Sequence, residues 1–227
     1  VTPKMVGRSL GESGEFSEQA ARTVTAIPEL ATLSGDALAQ AFLFHQFSVL
    51  LLLVPIVAAM SLATHAIIGE KQAKALEPLL ATPISTVELL AAKILTPFLF
   101  AVALLWVATV LYLGGAAMFG SPGVFAAVVG VRLLLMLGLV GPLAALASLQ
   151  LSVIVSSRAS DPRSAQQVTA LLILPVTAVF IAQLAGALVV PFSGLLLSAA
   201  AAFVLNAGLL WIGVVVFDRE AILTRWR

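Results

Sequence analysis

Charge is scarce in this sequence, and the residues most open to a partner's chemistry stand together in one polar stretch, Gly69 to Lys93 (GEKQAKALEPLLATPISTVELLAAK). It carries Glu70, Lys71, Lys74, Glu77, Glu88 and Lys93 between two long apolar blocks. Glu70 and Lys74 are four apart and Lys74 and Glu77 three apart, spacings that set opposite charges side by side on a helix, at about 0.2–0.5 kcal/mol per pair. Pro78 interrupts that helix or starts the next, because it lacks the N–H that an interior turn needs. Leu76, Leu79 and Leu80 crowd behind it, and Thr82-Pro83-Ile84-Ser85 breaks the pattern again. Ser85 reads as an N-cap with Glu88 three residues on, as in a capping box. Leucines beside paired charges make a docking surface for a partner. The alternative is an ordinary connection between membrane helices.

Other chemistry is thinly supported. No G-x-x-x-x-G-K-[ST] loop is present, so the chain has no such cradle for ATP phosphates. H-E-x-x-H and G-x-S-x-G are also absent. His45 and His65 stand near opposite ends of the first apolar run with no carboxylate beside either, which reads as interfacial rather than metal-binding. Gln150, Thr177, Gln183 and Asn206 are polar residues within apolar runs, and packing or interhelix hydrogen bonds explain them. Arg132 falls near the start of an apolar helix, where a charge is expensive. It reads as snorkelling to the interface or as a polar contact inside the bundle, with a place on a polar path as the lesser reading. No catalytic constellation, metal site or cofactor site is read in the chain, which is therefore not an enzyme by itself.

Those residues must be positioned by membrane helices. The chain is 61% hydrophobic and 10% charged, against about 45–50% and 25% in soluble domains. The net charge of +1 comes with no basic run or aromatic-basic interleaving, so nothing points to nucleic acid. There is no Cys, hence no disulfide and no thiolate metal site. Val1 in place of Met implies a non-standard start or missing upstream sequence, and no apolar core follows Lys4 and Arg8 as a signal peptide would require.

Residues 1–40 are a polar lead, with a helix expected over Glu18 to Leu33, interrupted at Pro28. Ala37 to Gly69, Ile94 to Val131 and Ser164 to Phe217 contain no Asp, Glu, Lys or Arg. A span needs about 20 apolar residues, and turn signals at Phe119-Gly120-Ser121-Pro122-Gly123 and Pro191-Phe192-Ser193-Gly194 divide the longer runs. The expected fold is all-α, a polytopic membrane helix bundle with five spans, at about 42–68, 89–118, 125–157, 168–190 and 195–217. Residues 41–227 then form one transmembrane domain.

Lys71, Lys74 and Lys93, then Arg158 and Arg163, then Arg219, Arg225 and Arg227 fall on one side of a five-span arrangement. The turns at 119–124 and 190–194 carry no Lys or Arg. The positive-inside rule makes the first side cytoplasmic, together with the C-terminus, and leaves residues 1–40 extracytoplasmic.

The run Gly69-Glu70-Lys71, then Ala75-Leu76-Glu77-Pro78-Leu79-Leu80-Ala81-Thr82-Pro83-Ile84-Ser85, then Glu88-Leu89-Leu90 and Lys93, resembles the signature of ABC-2 type transporter permeases. Ala75 stands where Thr is common, and Ala92 where Gly usually precedes the lysine. Ser156-Ser157-Arg158, Ala165-Gln166-Gln167, Pro175 and the tail Phe217 to Leu223 are also similar. The resemblance, nearest to the sodium-export and drug-export subset, implies a permease in the plasma (inner) membrane that pairs with a second copy or a homologous permease. Two ATP-binding cassette subunits would dock on its cytoplasmic face, holding the ATP and magnesium. It implies a coupling segment at Glu70, Lys74, Glu77, Pro78, Leu79, Leu80, Thr82, Pro83 and Ser85. It also implies one more helix upstream of Val1, with residues 1–40 as the end of an extracytoplasmic domain, and alternating access along a path between two permeases. The competing readings are a membrane scaffold or regulatory subunit that recruits a partner through the same loop, and a channel or secondary transporter. The last is disfavoured because coupling by an ion gradient generally uses intramembrane ionisable groups. The substrate is not set by the sequence.

Overall fold

In the computed structural model of the chain, residues 27, 30–72, 86–158, 162–185 and 187–216 are described. Among them the regular structure is helical throughout. Helix α1 is Gly35–Ser48, and after a 3-10 turn at Val49–Leu52 the chain continues as α2, Leu53–Gln72. Helix α3 is Thr86–Phe119, α4 Val124–Val128 and α5 Val131–Leu135. A π turn at Met136–Val140 leads into α6, Gly141–Arg158. Helix α7 is Pro162–Thr169; a 3-10 turn at Ala170–Leu172 precedes α8, Ile173–Leu184, and α9 is Phe192–Val216.

Five segments are long and apolar enough to cross a bilayer: Gly35–Ala66, Ile94–Phe119, Val131–Ser156, Gln166–Leu184 and Phe192–Gly213. Their outward faces are greasy, with Leu111, Met118, Leu197 and Trp211 each at least 70% exposed. Water would penalise such surfaces, whereas lipid tails accept them.

The irregular turns have a local cause. Proline removes one intrahelical hydrogen bond, and its ring collides with the carbonyl four residues back. Leu51, four before Pro55, lies in the first 3-10 turn. Gly138, four before Pro142, lies in the π turn. Leu171, four before Pro175, lies in the second 3-10 turn. The π turn closes when Gly141 N–H bonds the Met136 carbonyl, five residues back. Each helix thus widens or tightens where its ladder loses a rung.

Three boundaries differ from the sequence expectation. Helix α1 starts at Gly35, so the end of the polar lead is helical. The third apolar run does not start as one helix at Phe125; α4 ends at Val128 and α5 begins at Val131, with Gly130 extended between them. The fourth helix stops at Leu184 rather than at Val190, and residues 188–190 are non-helical.

The described residues fall into two compact units. The first draws on the described residues within Val1–Leu53, Leu105–Gly141 and Pro175–Ala199. Its core is built of large aliphatic side chains, among them Leu30, Leu52, Leu105, Leu137 and Leu195. Phe44 and Tyr112 meet edge to face at 5.6 Å, and Tyr112 also donates from its hydroxyl to the Phe44 carbonyl. The 3-10 turn at Val49–Leu52 packs against the π turn at Met136–Val140.

The second unit draws on the described residues within Val54–Leu104, Pro142–Leu174 and Ala200–Arg227. Its core uses smaller residues: Ala59 and Ala63 from α2, Ala101 from α3, and Ala145, Leu149 and Val153 from α6. The α2 and α6 residues follow the i, i+4 spacing of one helix face, and small side chains let helix backbones approach where no hydrophobic driving force separates protein from lipid. Asn206 of α9 donates from Nδ2 to the Leu143 carbonyl at 3.0 Å.

Candidate functional site

The polar stretch is described only at its edges. Glu70 lies in the last turns of α2, and α3 begins at Thr86, the residue after Ser85. Lys74, Glu77, Pro78, Leu79, Leu80, Thr82, Pro83 and Ser85 lie outside the described residues. Near this stretch in the second unit, His65 of α2 and Gln166 of α7 bring their side-chain nitrogens to 3.4 Å. Helices α2 and α7 are therefore neighbours.

Arg132 stands in the first unit. The break at Gly130 places it in the short helix that opens the third span, and its guanidinium donates to the Val190 carbonyl. Arg132 is half-buried and makes this polar contact within the first unit.

That contact belongs to a pattern. Backbone groups at a helix end have no intrahelical partner, and in a bilayer water does not supply one at depth. Here side chains from other helices supply them. Gln46 Nε2 donates to the Gln183 carbonyl at 3.2 Å, in the last turn of α8. Gln40 Oε1 accepts from Ser121 N–H at 2.8 Å in the turn after α3. Arg132 serves Val190 in the connection between α8 and α9. Gln40 and Gln46 are 2% and 7% exposed. Sequence reasoning passed over both, although a glutamine within an uncharged apolar run carried the same signal as Gln183.

Gln46, Arg132, Gln183 and Val190 border a cavity of about 330 Å³ within the first unit. His45, Gln46, Arg132 and Gln183 line it together with Val49, Leu52, Met136, Val140, Val176 and Val179. The walls are mainly aliphatic, with few polar groups, the usual make-up of a small-molecule pocket. Among the described residues no three His, Asp or Glu side chains come together as a metal site.

No curated protein and no solved structure matches the chain. The family model described as ABC-2 family transporter protein matches residues 23–162. The match takes in the polar stretch, Arg132 and the first three spans, more than half of the chain. With five membrane-length helices in an all-helical fold and that match across its larger part, the chain belongs to the ABC-2 family of transporter proteins.

Proposed function

We propose that the chain is the membrane-spanning permease subunit of an ATP-driven exporter, moving substrate by alternating access. The energy comes from separate ATP-binding cassette subunits that carry the ATP and magnesium. The observation that carries this reading is the ABC-2 family match, which runs through the polar stretch at 69–93. Glu70, Lys74, Glu77, Pro78, Leu79, Leu80, Thr82, Pro83 and Ser85 form the surface that receives the ATPase, pairing charges around an apolar leucine cluster. Two permeases, identical or homologous, enclose the path. The Lys and Arg of the two inner loops and the tail orient the chain in the plasma (inner) membrane, with its C-terminus in the cytoplasm and residues 1–40 outside.

The test is co-purification of the full chain with candidate ATP-binding subunits, comparing wild type with the Glu77→Lys, Leu80→Asp double variant. The expected result is a stable complex that the double variant loses while still inserting in the membrane. Binding that survives the substitutions unchanged removes the 69–93 stretch as the docking surface. A complex whose ATPase activity responds to no transported compound in reconstituted vesicles would favour a scaffold over an exporter.

A further inference from the structure

The cavity in the first unit is polar at one end and apolar at the other, and helix periodicity makes it so. On α1, His45 and Gln46 line the cavity, followed one and two turns on by Val49 and Leu52. On the third span, Arg132 is followed at i+4 and i+8 by Met136 and Val140. On α8 the order reverses along the chain: Val176 and Val179 come first, and Gln183 follows. Two hydrogen bonds align these gradients. Gln46 reaches the Gln183 carbonyl at 3.2 Å, and Arg132 reaches the Val190 carbonyl, a few residues beyond Gln183. The polar residues of the three helices therefore gather at the end of the cavity beside the α8–α9 connection. The opposite end is mainly aliphatic, with Ser198 of α9 in its lining, and lies against the packed 3-10 and π turns.

We propose that this cavity binds a single-chain amphiphile with an anionic head group, the head at Arg132 and the chain along Met136, Val140, Val49 and Leu52. A guanidinium carries five N–H donors in a planar fork that matches a carboxylate or phosphate, so an anionic head can share it with the partners it already has, the Val190 carbonyl among them. The mainly aliphatic end accepts a hydrocarbon chain at little polar cost, because the hydroxyls of Ser48 and Ser198 in the lining already donate to the carbonyls of His45 and Leu195. A volume of about 330 Å³ lies at the small end of ligand pockets, which suits one chain rather than the two of a phospholipid. The site lies within one chain and does not depend on the exporter reading. A carboxylate from a free fatty acid and a phosphate from a single-chain phospholipid share this chemistry.

The full chain is reconstituted in phosphatidylcholine nanodiscs, and binding of radiolabelled dodecanoate is measured by scintillation proximity. Dodecanol, dodecyltrimethylammonium and 1-acyl lysophosphatidate are the competitors. Dodecanoate should bind about tenfold or more tightly than dodecanol, the gain expected from a charged hydrogen-bonded pair, and the cationic amphiphile should not compete. Arg132→Gln should remove that tenfold difference, and Arg132→Lys should keep most of it. Val179→Phe leaves Arg132 in place but fills the chain end, so it should weaken dodecanoate and dodecanol together. Lysophosphatidate displacing dodecanoate at lower concentration assigns the head to a phosphate, and the reverse assigns it to a carboxylate. Equal binding of dodecanoate and dodecanol to the wild type, competition by the cationic amphiphile, or undiminished binding in Val179→Phe overturns the proposal.

Discussion

Gln46, in the first span, hydrogen-bonds the main-chain carbonyl of Gln183 at 3.2 Å across 137 positions of sequence. The bond closes the C-terminal end of α8 with a side chain from another helix, where the helix's own donors have run out. Gln46→Met keeps the length of the side chain and removes the donor. It should lower stability by about 1–2 kcal/mol, the cost of leaving a buried carbonyl unserved. Thermal unfolding of the purified variant in detergent reads this directly, and an unchanged midpoint would show that the carbonyl finds another donor.

The turn between α3 and α4 rests on Gly123. Its φ of 89° lies in the left-handed region, and a Cβ there would stand 2.9 Å from Leu33 Cδ2. Gly123→Ala should therefore destabilise by about 1–2 kcal/mol from backbone strain alone, with the Leu33 clash added. Gly114, inside α3, has nothing within 4 Å of its added Cβ. Gly114→Ala should be neutral or stabilising by about 0.5–1 kcal/mol. The opposite signs of the two alanine variants are the measurement that matters.

Gly141 follows the π turn, and a Cβ on it would stand 2.6 Å from Leu105 Cδ2. Leu105 is fully buried and has little room to withdraw. Gly141→Ala should cost about 1–3 kcal/mol through overpacking. Adding Leu105→Val should recover part of that loss, so a double-mutant cycle in chemical denaturation should return a coupling of about 0.5 kcal/mol or more. Strict additivity would mean that the two positions do not press on each other.

Membrane orientation can be read without background labelling, because the chain contains no cysteine. Pro122 and Ser164 are both exposed. In intact cells a membrane-impermeant maleimide should label Pro122→Cys, while Ser164→Cys should react only after the membrane is opened. The reverse pattern would invert the topology given by the Lys and Arg distribution.

Much of this fold was legible in the sequence. A bilayer asks each span for a sufficient run of apolar residues, which is a local sum, so the five apolar segments and the turns near Ser121 and Pro191 could be read directly. The family signature at Glu77 to Ser85 is likewise a local string, and the family match confirms the kinship it indicated. Proline was no such guide: Pro55, Pro142 and Pro175 stand four residues beyond points where a helix leaves the regular ladder, whereas Pro97 lies within the unbroken α3.

Other features were decided only by tertiary structure. Glycines are common within spans, so Gly130 gave no local sign that α4 and α5 are separate helices. Nothing near Gln40, Gln46 or Arg132 in the chain names Ser121, Gln183 or Val190 as partners. The cavity draws its walls from four separated segments. Apolarity along the chain determines that a helix enters the membrane. Which side chain meets which backbone group depends on the faces that the helices turn toward one another, and close packing sets those faces only once all the helices are together.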